Sequence, residues 1–179
     1  MAANSVILSK DYSIKAGQTF FIDNNVWMFV FCPIGGYNAK QQASASKFIE
    51  YIVQRGNNIA VNSLVLSEFS NAYLRLDFNL WKNETKNYGA DFKRDYFNTE
   101  RASSLRETIK LTIKNQILKI SQRFSDSFNA TNLDLVFAAY KTIDFNDSVI
   151  YHECLRNNWV LVTNDADFEQ LDSLNIVKI

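Results

Sequence analysis

The sequence predicts an α/β fold: a central, mainly parallel sheet with helices on both faces. Three observations predict it. Short apolar runs rich in β-branched and aromatic residues recur along the chain (QTFFID, NIAVN, WVLVT, NIVKI), each a few residues long and bounded by turn formers. Stretches with apolar residues at helical spacing lie between them, the alternation expected of a parallel sheet. One Pro and five Gly in 179 residues leave few breakers, which favours helices with short connections. The length fits a single domain, 1–179, with one insertion, and a chain of this size buries roughly 70% of its unfolded surface without disulfides or structural zinc.

Taken in order, VIL at 6–8 reads as a short edge strand. Gly17 precedes QTFFID, a buried strand ending at Asp23. NNVWMFVF follows as a short helix with Asn24 or Asn25 as its cap, closed by Pro33 and the Gly35-Gly36 pair. A helix over about 39–54 has Ala43, Phe48, Ile49, Ile52 and Val53 as its buried stripe. Gly56 and Asn57-Asn58 turn the chain into the strand NIAVN. Asn62 or Ser63 caps the next helix, about 63–80, whose broad apolar side holds Leu64, Val65, Phe69, Ala72, Tyr73 and Leu76. Residues 81–129 form a helical insertion or hairpin. Its long helix, 103–124, carries the stripe Leu105, Ile109, Ile113, Ile117 and Ile120, which must bury against the domain or a partner. Asn132 caps a helix at 133–141; TIDFN reads as a linker, and Asp147 starts the helix DSVIYHECLRNN. WVLVT is the clearest strand; a short DFEQL helix and a last strand, NIVKI, follow.

Charge is balanced overall but not along the chain. From Lys82 to Arg123 there are ten Lys/Arg against five Asp/Glu, and from Phe124 to Ile179 three against nine. That asymmetry suits an acidic centre beside a basic surface facing phosphates, or simply a solvated basic helix. Cys32 and Cys154 lack metal-type spacing and are too few for a disulfide framework. No window approaches the ~18 uninterrupted apolar residues of a membrane span, and MAANSVILSKDY has no basic segment ahead of its short apolar run, so the expectation is a soluble, cytoplasmic protein with no membrane partner.

Four acids carry the functional signal. Asp23 closes FFID, Glu68 lies beside the buried side of its helix, Asp147 opens DSVIYHECL, and Asp165 follows WVLVTN. Carboxylates avoid apolar surroundings unless their charge is compensated, so four of them at the ends or inner faces of buried elements suggest a divalent-cation site. Asp23 and Asp165 both fall at carboxyl ends of strands, where ligands gather in parallel sheets. A hard cation there would polarise a phosphodiester and position an attacking water.

These positions also resemble the PIN-domain family of metal-dependent ribonucleases, which includes the VapC-type toxins of toxin–antitoxin pairs. The resemblance rests on FFIDNNVW, SLVLSEFSNAYLR, FNDSVIYHECLRNNWVLVTNDADF and the terminal NIVKI, across nearly the whole chain except about 81–129. It implies a PIN-like α/β/α sandwich with a helical insertion around 81–129. It further implies that Asp23, Glu68, Asp147 and Asp165 are catalytic and bind Mg²⁺ or Mn²⁺, that Thr163 supplies a hydroxyl near the metal, and that RNA is cut by water to leave a 5′-phosphate. If the chain is a toxin, an antitoxin protein and a homodimer are the expected partners. The long gap between Glu68 and Asp147 departs from the compact toxins.

Each residue also has a plainer explanation. Asp23 could cap the following helix, Glu68 could pair with Arg75, Asp147 could be an N-cap and Asp165 a turn residue. One shared site accounts for all four at once. Asp167 reads equally as a support behind the metal ligands or a ligand to a second metal, or as a cap for the FEQL turn, and Asp144 as linker. His152 reads as surface or core rather than a general base; Trp27 and Cys154 read as core. Among rivals, a catalytically weak PIN-like module binding RNA or a protein remains open. A haloacid-dehalogenase-like phosphatase needs an Asp where Asn25 stands. A receiver domain needs paired early acids and a late strand-end Lys, yet the only late Lys is Lys178.

Overall fold

The computed structural model of the protein describes residues 5–125 and 128–179. Its centre is a six-stranded sheet in the order β1-β6-β5-β2-β3-β4, with every pairing parallel. The strands are β1 (Ser5–Leu8), β2 (Thr19–Ile22), β3 (Asn58–Val61), β4 (Gln122–Arg123), β5 (Val160–Thr163) and β6 (Asn175–Lys178). All four residues of β5 are buried, as are Phe20, Phe21 and Ile22 of β2, which explains why both read as unbroken apolar runs rather than alternating ones. The α/β fold expected from the sequence is therefore observed. From β2 the chain steps outward to β3 on one side and later returns to β5 on the other. The strand order thus reverses between β2 and β5, and this opens a crevice at their carboxyl ends.

Helices α1 (Asn24–Phe31), α2 (Ala39–Gln54) and α3 (Ser63–Thr85) follow β2 and β3 closely. The sequence reading of α2 has the right ends, but Ala45 is buried in place of Ala43, and Val53 is 41% exposed. The phase of the stripe is one residue off because Phe48, Ile49 and Ile52 anchor the helix and Ala45 lies one turn before them. Helix α3 continues to Thr85, past its expected end near 80, and Asn62 caps it by accepting from Val65 N. No helix among the described residues is long and apolar enough to cross a membrane.

The insertion docks on the domain. Asp91 caps a wide turn at Phe92–Tyr96, and α4 (Glu100–Thr112), a second wide turn at Ile113–Ile117 and α5 (Leu118–Ile120) follow. Ile109 and Ile117 enter the main core, with Leu105, Ile113 and Ile120 packed against it, so the predicted stripe buries against the sheet's own layer of helices. The expected helix over 103–124 stops short: Gln122 and Arg123 form β4, paired with Ala60 and Val61. An exposed two-residue edge strand has no apolar pattern to betray it.

A second, smaller cluster of Phe78, Tyr96 and Ala102 joins the insertion to the far half of α3. Beside it, Asp77, 6% exposed, accepts from Tyr96 Oη at 2.5 Å and from Arg101 Nε and Nη2 at 2.8 and 2.6 Å; Arg101 also pairs with Glu84. Burial alone would raise the Asp77 carboxyl, but the Arg101 and Tyr96 hydrogen bonds outweigh it and hold it below its ordinary value. Replacing Arg101 by Met leaves that carboxylate buried without its cation. The expected result is a loss of about 2 kcal/mol in urea unfolding, and a loss under ~0.5 kcal/mol would contradict this account.

Candidate active site

The crevice between β2 and β5 is closed at its floor by one side chain. Asp23, the residue after β2, continues the ladder by donating its N–H to Val162 O at 3.0 Å. Its Oδ1 accepts from Asn24 N at 2.6 Å and so caps α1, while Oδ2 accepts from Thr163 Oγ1 and from Asn25 Nδ2, both at 2.6 Å. The cap is thus Asp23 itself, not Asn24 or Asn25. Asn25 instead crosses to β5, accepting from Asn164 N at 3.1 Å. Thr163 Oγ1 accepts in turn from Asp165 N at 2.9 Å, which turns the chain so that Asp165 stands beside Asp23. Asp165 is half-buried, and its Oδ1 accepts from Asp167 N, whereas Asp167 is exposed and engaged with Gln170.

The other two acids arrive from helices. Glu68, half-buried on α3, accepts from Asn146 Nδ2 at 2.7 Å. It does not pair with Arg75, whose guanidinium lies 3.9 Å from the centre of the Phe92 ring. Helix α7 (Phe145–Asn157) begins two residues before Asp147. Asp144 is its cap, accepting from Asp147 N at 2.9 Å, and not part of a linker. Asp147 sits in the first turn, where exposed amide dipoles favour an anion. The residues between Ala139 and Asp144 belong to the turn after α6 (Leu133–Ala139). His152, Cys154 and Trp27 are buried, and His152 makes no hydrogen bond to these acids.

The electrostatics tie the acids together. Burial pushes the Asp23 carboxyl up to about 6 despite the lowering effect of its Thr163 and Asn24 bonds, and the charges of Glu68 and Asp165 add to the rise. Asp147 is pushed up to about 8, first by burial and then by the charges of Asp23, Asp144, Asp165 and Glu68. Glu68 is also raised, by burial and by Asp144, against the effect of Asn146. Among the described residues no Lys, Arg or His side chain forms an ion pair with any of these five acids. The structure therefore gathers Asp23, Glu68, Asp147 and Asp165 around one crevice. It adds Asp144, Asn25 and Asn146, which sequence reading missed. The only signal for the asparagines was their position beside Asp23 and Asp147.

The donor set suits a hard cation: it is all oxygen, negatively charged and uncompensated by protein cations. Among the described residues no three His, Cys, Asp or Glu side chains are drawn tightly enough to cage an ion by themselves. Mg²⁺ does not need such a cage, since it keeps several waters and usually takes one or two carboxylates directly.

Comparison with known proteins places the fold. A chain in the crystal structure of VapBC2 from Rickettsia felis bound to a DNA fragment from their promoter has the same fold. It is 15% identical, with a TM-score of 0.56 over 90% of this chain and 99% of that one. No curated protein matches the chain in sequence. The family model for the PIN domain matches residues 20–174, from the middle of β2 to the turn before β6. The chain belongs to the PIN domain family, whose members are generally nucleases.

Proposed function

We propose that this chain is a metal-dependent endoribonuclease in which Asp23, Glu68, Asp147 and Asp165 hold Mg²⁺ or Mn²⁺ and present an RNA phosphodiester to water. One observation carries the reading: five mutually repelling carboxylates line a crevice at the sheet's switch point with no protein cation to neutralise them. Folding holds together charges that oppose it, which is the mark of a functional rather than a stabilising site. A bound ion would act as a Lewis acid on the scissile phosphate.

The chain's own residues divide the remaining work. Thr163 and Asn25 fix the rotamer of Asp23, Asn146 fixes Glu68, and Asp144 fixes the first turn of α7 and with it Asp147. Without a cation Asp147 holds a proton near neutral pH, so ion binding and proton release are linked. Water attack at phosphorus would leave a 5′-phosphate on one fragment. The chain acts as one domain in the cytoplasm, with 81–129 as an insertion, and we further propose that it is the toxin of a toxin–antitoxin pair. The structural likeness to a chain of VapBC2, a complex bound to promoter DNA, supports an antitoxin that covers the crevice, and a homodimer is the expected assembly.

Three outcomes test this. Mg²⁺ or Mn²⁺ should raise the melting temperature of the wild type above its value in EDTA, and Asp165→Asn should abolish both that rise and cleavage of single-stranded RNA. No rise and no cleavage in the wild type would leave a PIN-like interaction module instead. In EDTA the sign of the pH dependence is fixed by the raised carboxyls. A folded-state pKa above the unfolded one gives stability that is full at low pH and lost as pH rises through the folded value. The metal-free wild type should therefore lose stability between about pH 4 and pH 8, from the ordinary carboxyl value up to that of Asp147, with Asp147→Asn flattening that loss and melting at least about 3 °C higher at pH 8. A mutant that melts lower at pH 8 would refute this assignment. Finally, Thr163→Val removes a hydroxyl that donates to buried Asp23 and accepts from the Asp165 amide. It should reduce cleavage by at least about tenfold and stability by about 1–2 kcal/mol, and cleavage at wild-type rates would exclude Thr163 as a positioning residue.

A further inference from the structure

Two hollows of about 520 and 740 Å³ lie side by side between α3 and the insertion and share Asn71 and Phe97. Arg106, Lys110 and Lys114 line the first, and Arg75 and Lys93 the second; no Asp or Glu lines either. The same segment contains cations of another kind. Arg94 is paired with Asp95, and Arg101 is locked to Asp77 and Glu84. Among the cations in the cleft only Lys110 has a carboxylate partner, Glu107 at 2.6 Å. Arg75, Lys93, Arg106 and Lys114 form no ion pair among the described residues. The insertion thus pairs Arg94 and Arg101 with acids and leaves every cleft cation but Lys110 without one among the described residues.

The two cleft arginines are also held in set orientations. The Arg75 guanidinium lies over the Phe92 ring, 3.9 Å from its centre, and Arg106 lies 4.3 Å from the centre of the Phe97 ring while donating to Phe97 O at 2.5 Å. A stacked guanidinium keeps its remaining N–H edge for an oxyanion. On α3, Glu68, Asn71 and Arg75 are spaced i, i+3, i+7 and so share one face. The acidic crevice and the basic cleft are then about 10 Å apart along a single helix.

We infer that this cleft is the binding track for the sugar–phosphate backbone of the single-stranded RNA substrate, flanking the scissile phosphate. The inference rests on the nuclease reading for the identity of the strand, and on the cleft's unpaired cations for its location. A nucleic-acid strand fits better than a compact anion. The cations are spread along two consecutive hollows, and Ser70, Asn71 and Asn98 offer neutral donors between them. It fits better than an acidic peptide as well, because the same helix face leads to a site suited to a cation-bound phosphodiester.

The test is fluorescence anisotropy in EDTA with a labelled single-stranded RNA of about 16 nucleotides, titrated between about 50 and 300 mM salt. Both Lys93 and Lys114 are exposed, so the double variant Lys93→Glu/Lys114→Glu should fold, which its unchanged melting curve would verify. It should bind at least about tenfold more weakly, with the slope of log K against log salt shallower by about 1.4, the release expected for two lost phosphate contacts on a single strand. Arg94→Ala, a paired cation outside the cleft, should stay within about twofold of the wild type. Equal weakening by both variants, or by neither, would overturn the proposal, as would a wild type that binds no RNA. Tighter binding of duplex DNA with the same dependence on Lys93 and Lys114, or displacement by polyglutamate as readily as by polyuridylate, would also overturn the choice of occupant. Cleavage without cleft-dependent binding would sink the track and spare the nuclease reading. Cleft-dependent binding without cleavage in Mg²⁺ or Mn²⁺ would do the reverse.

Discussion

The hydroxyl of Thr163 joins two strand ends that the chain separates by 140 residues. It donates to Asp23 beyond β2 and accepts the amide of Asp165 beyond β5, while Asn25 Nδ2 reaches both Asp23 and Thr163. Parallel neighbours in a sheet have no hairpin to hold their ends level, so something local must fix how far each strand runs before it turns. Here a buried carboxylate does it. Asp23 is 5% exposed, and its carboxylate accepts from three donors: the first amide of α1, Asn25 Nδ2 and Thr163 Oγ1. The start of α1, the turn after β5 and the floor of the crevice are consequences of that one arrangement. Disturbing it shifts all three together.

The molecule buries acids in two contrasting ways, and the contrast identifies the site. Asp77 is taken out of water and given Arg101 and Tyr96, and its carboxyl ends below the ordinary value. Asp23 is taken out of water and given hydrogen bonds and other acids, Asp147 is half-buried beside other acids, and their carboxyls end near 6 and 8. Each unit of pKa corresponds to about 1.4 kcal/mol of difference between the charged and neutral forms. In the first case folding has solved the desolvation problem internally. In the second it has left it to a cation from outside or to a proton. A chain that brings a paired arginine from α4 to the acid on the far half of α3 but none to the acid on the near half of the same helix is discriminating between two tasks.

Much of this was legible in the sequence because burial in a parallel sheet writes continuous apolar runs, and strand-ending acids interrupt them abruptly. TFFI-Asp23 and VLVTN-Asp165 were visible for that reason, and so were the ends of α2 and the caps at Asn62 and Asn132. What escaped was set by long-range pairing. Gln122 and Arg123 are polar, exposed and helix-compatible, and only the vacant edge of β3 makes them a strand. Asp144 looked like linker because an N-cap and a linker aspartate differ only in whether a helix starts beside them. Asp77 and Arg101, 24 residues apart, have nothing in their local sequence to announce a pair. Asn146 passed as an ordinary neighbour of Asp147, yet it is the residue that reaches Glu68 across 78 positions.

The construction of the segment 81–129 argues against a passive spacer. A spacer needs solubility, which scattered and mutually paired charges provide at little cost. This segment instead spends Arg101 and Tyr96 on a buried anchor and lays Arg75 and Arg106 on Phe92 and Phe97. It then leaves four cations without acids in a cleft whose walls contain none. Concentrating like charge in a concavity raises the electrostatic energy of the folded state. It also focuses the field on whatever anion approaches, and it does so within one helix of a crevice of opposite sign. On the proposed reading the cleft's unpaired cations hold a strand whether or not the acidic crevice is loaded, and a cation there would offset the repulsion between the carboxylates and the phosphate that enters the crevice, so the ion bears on cutting more than on seating.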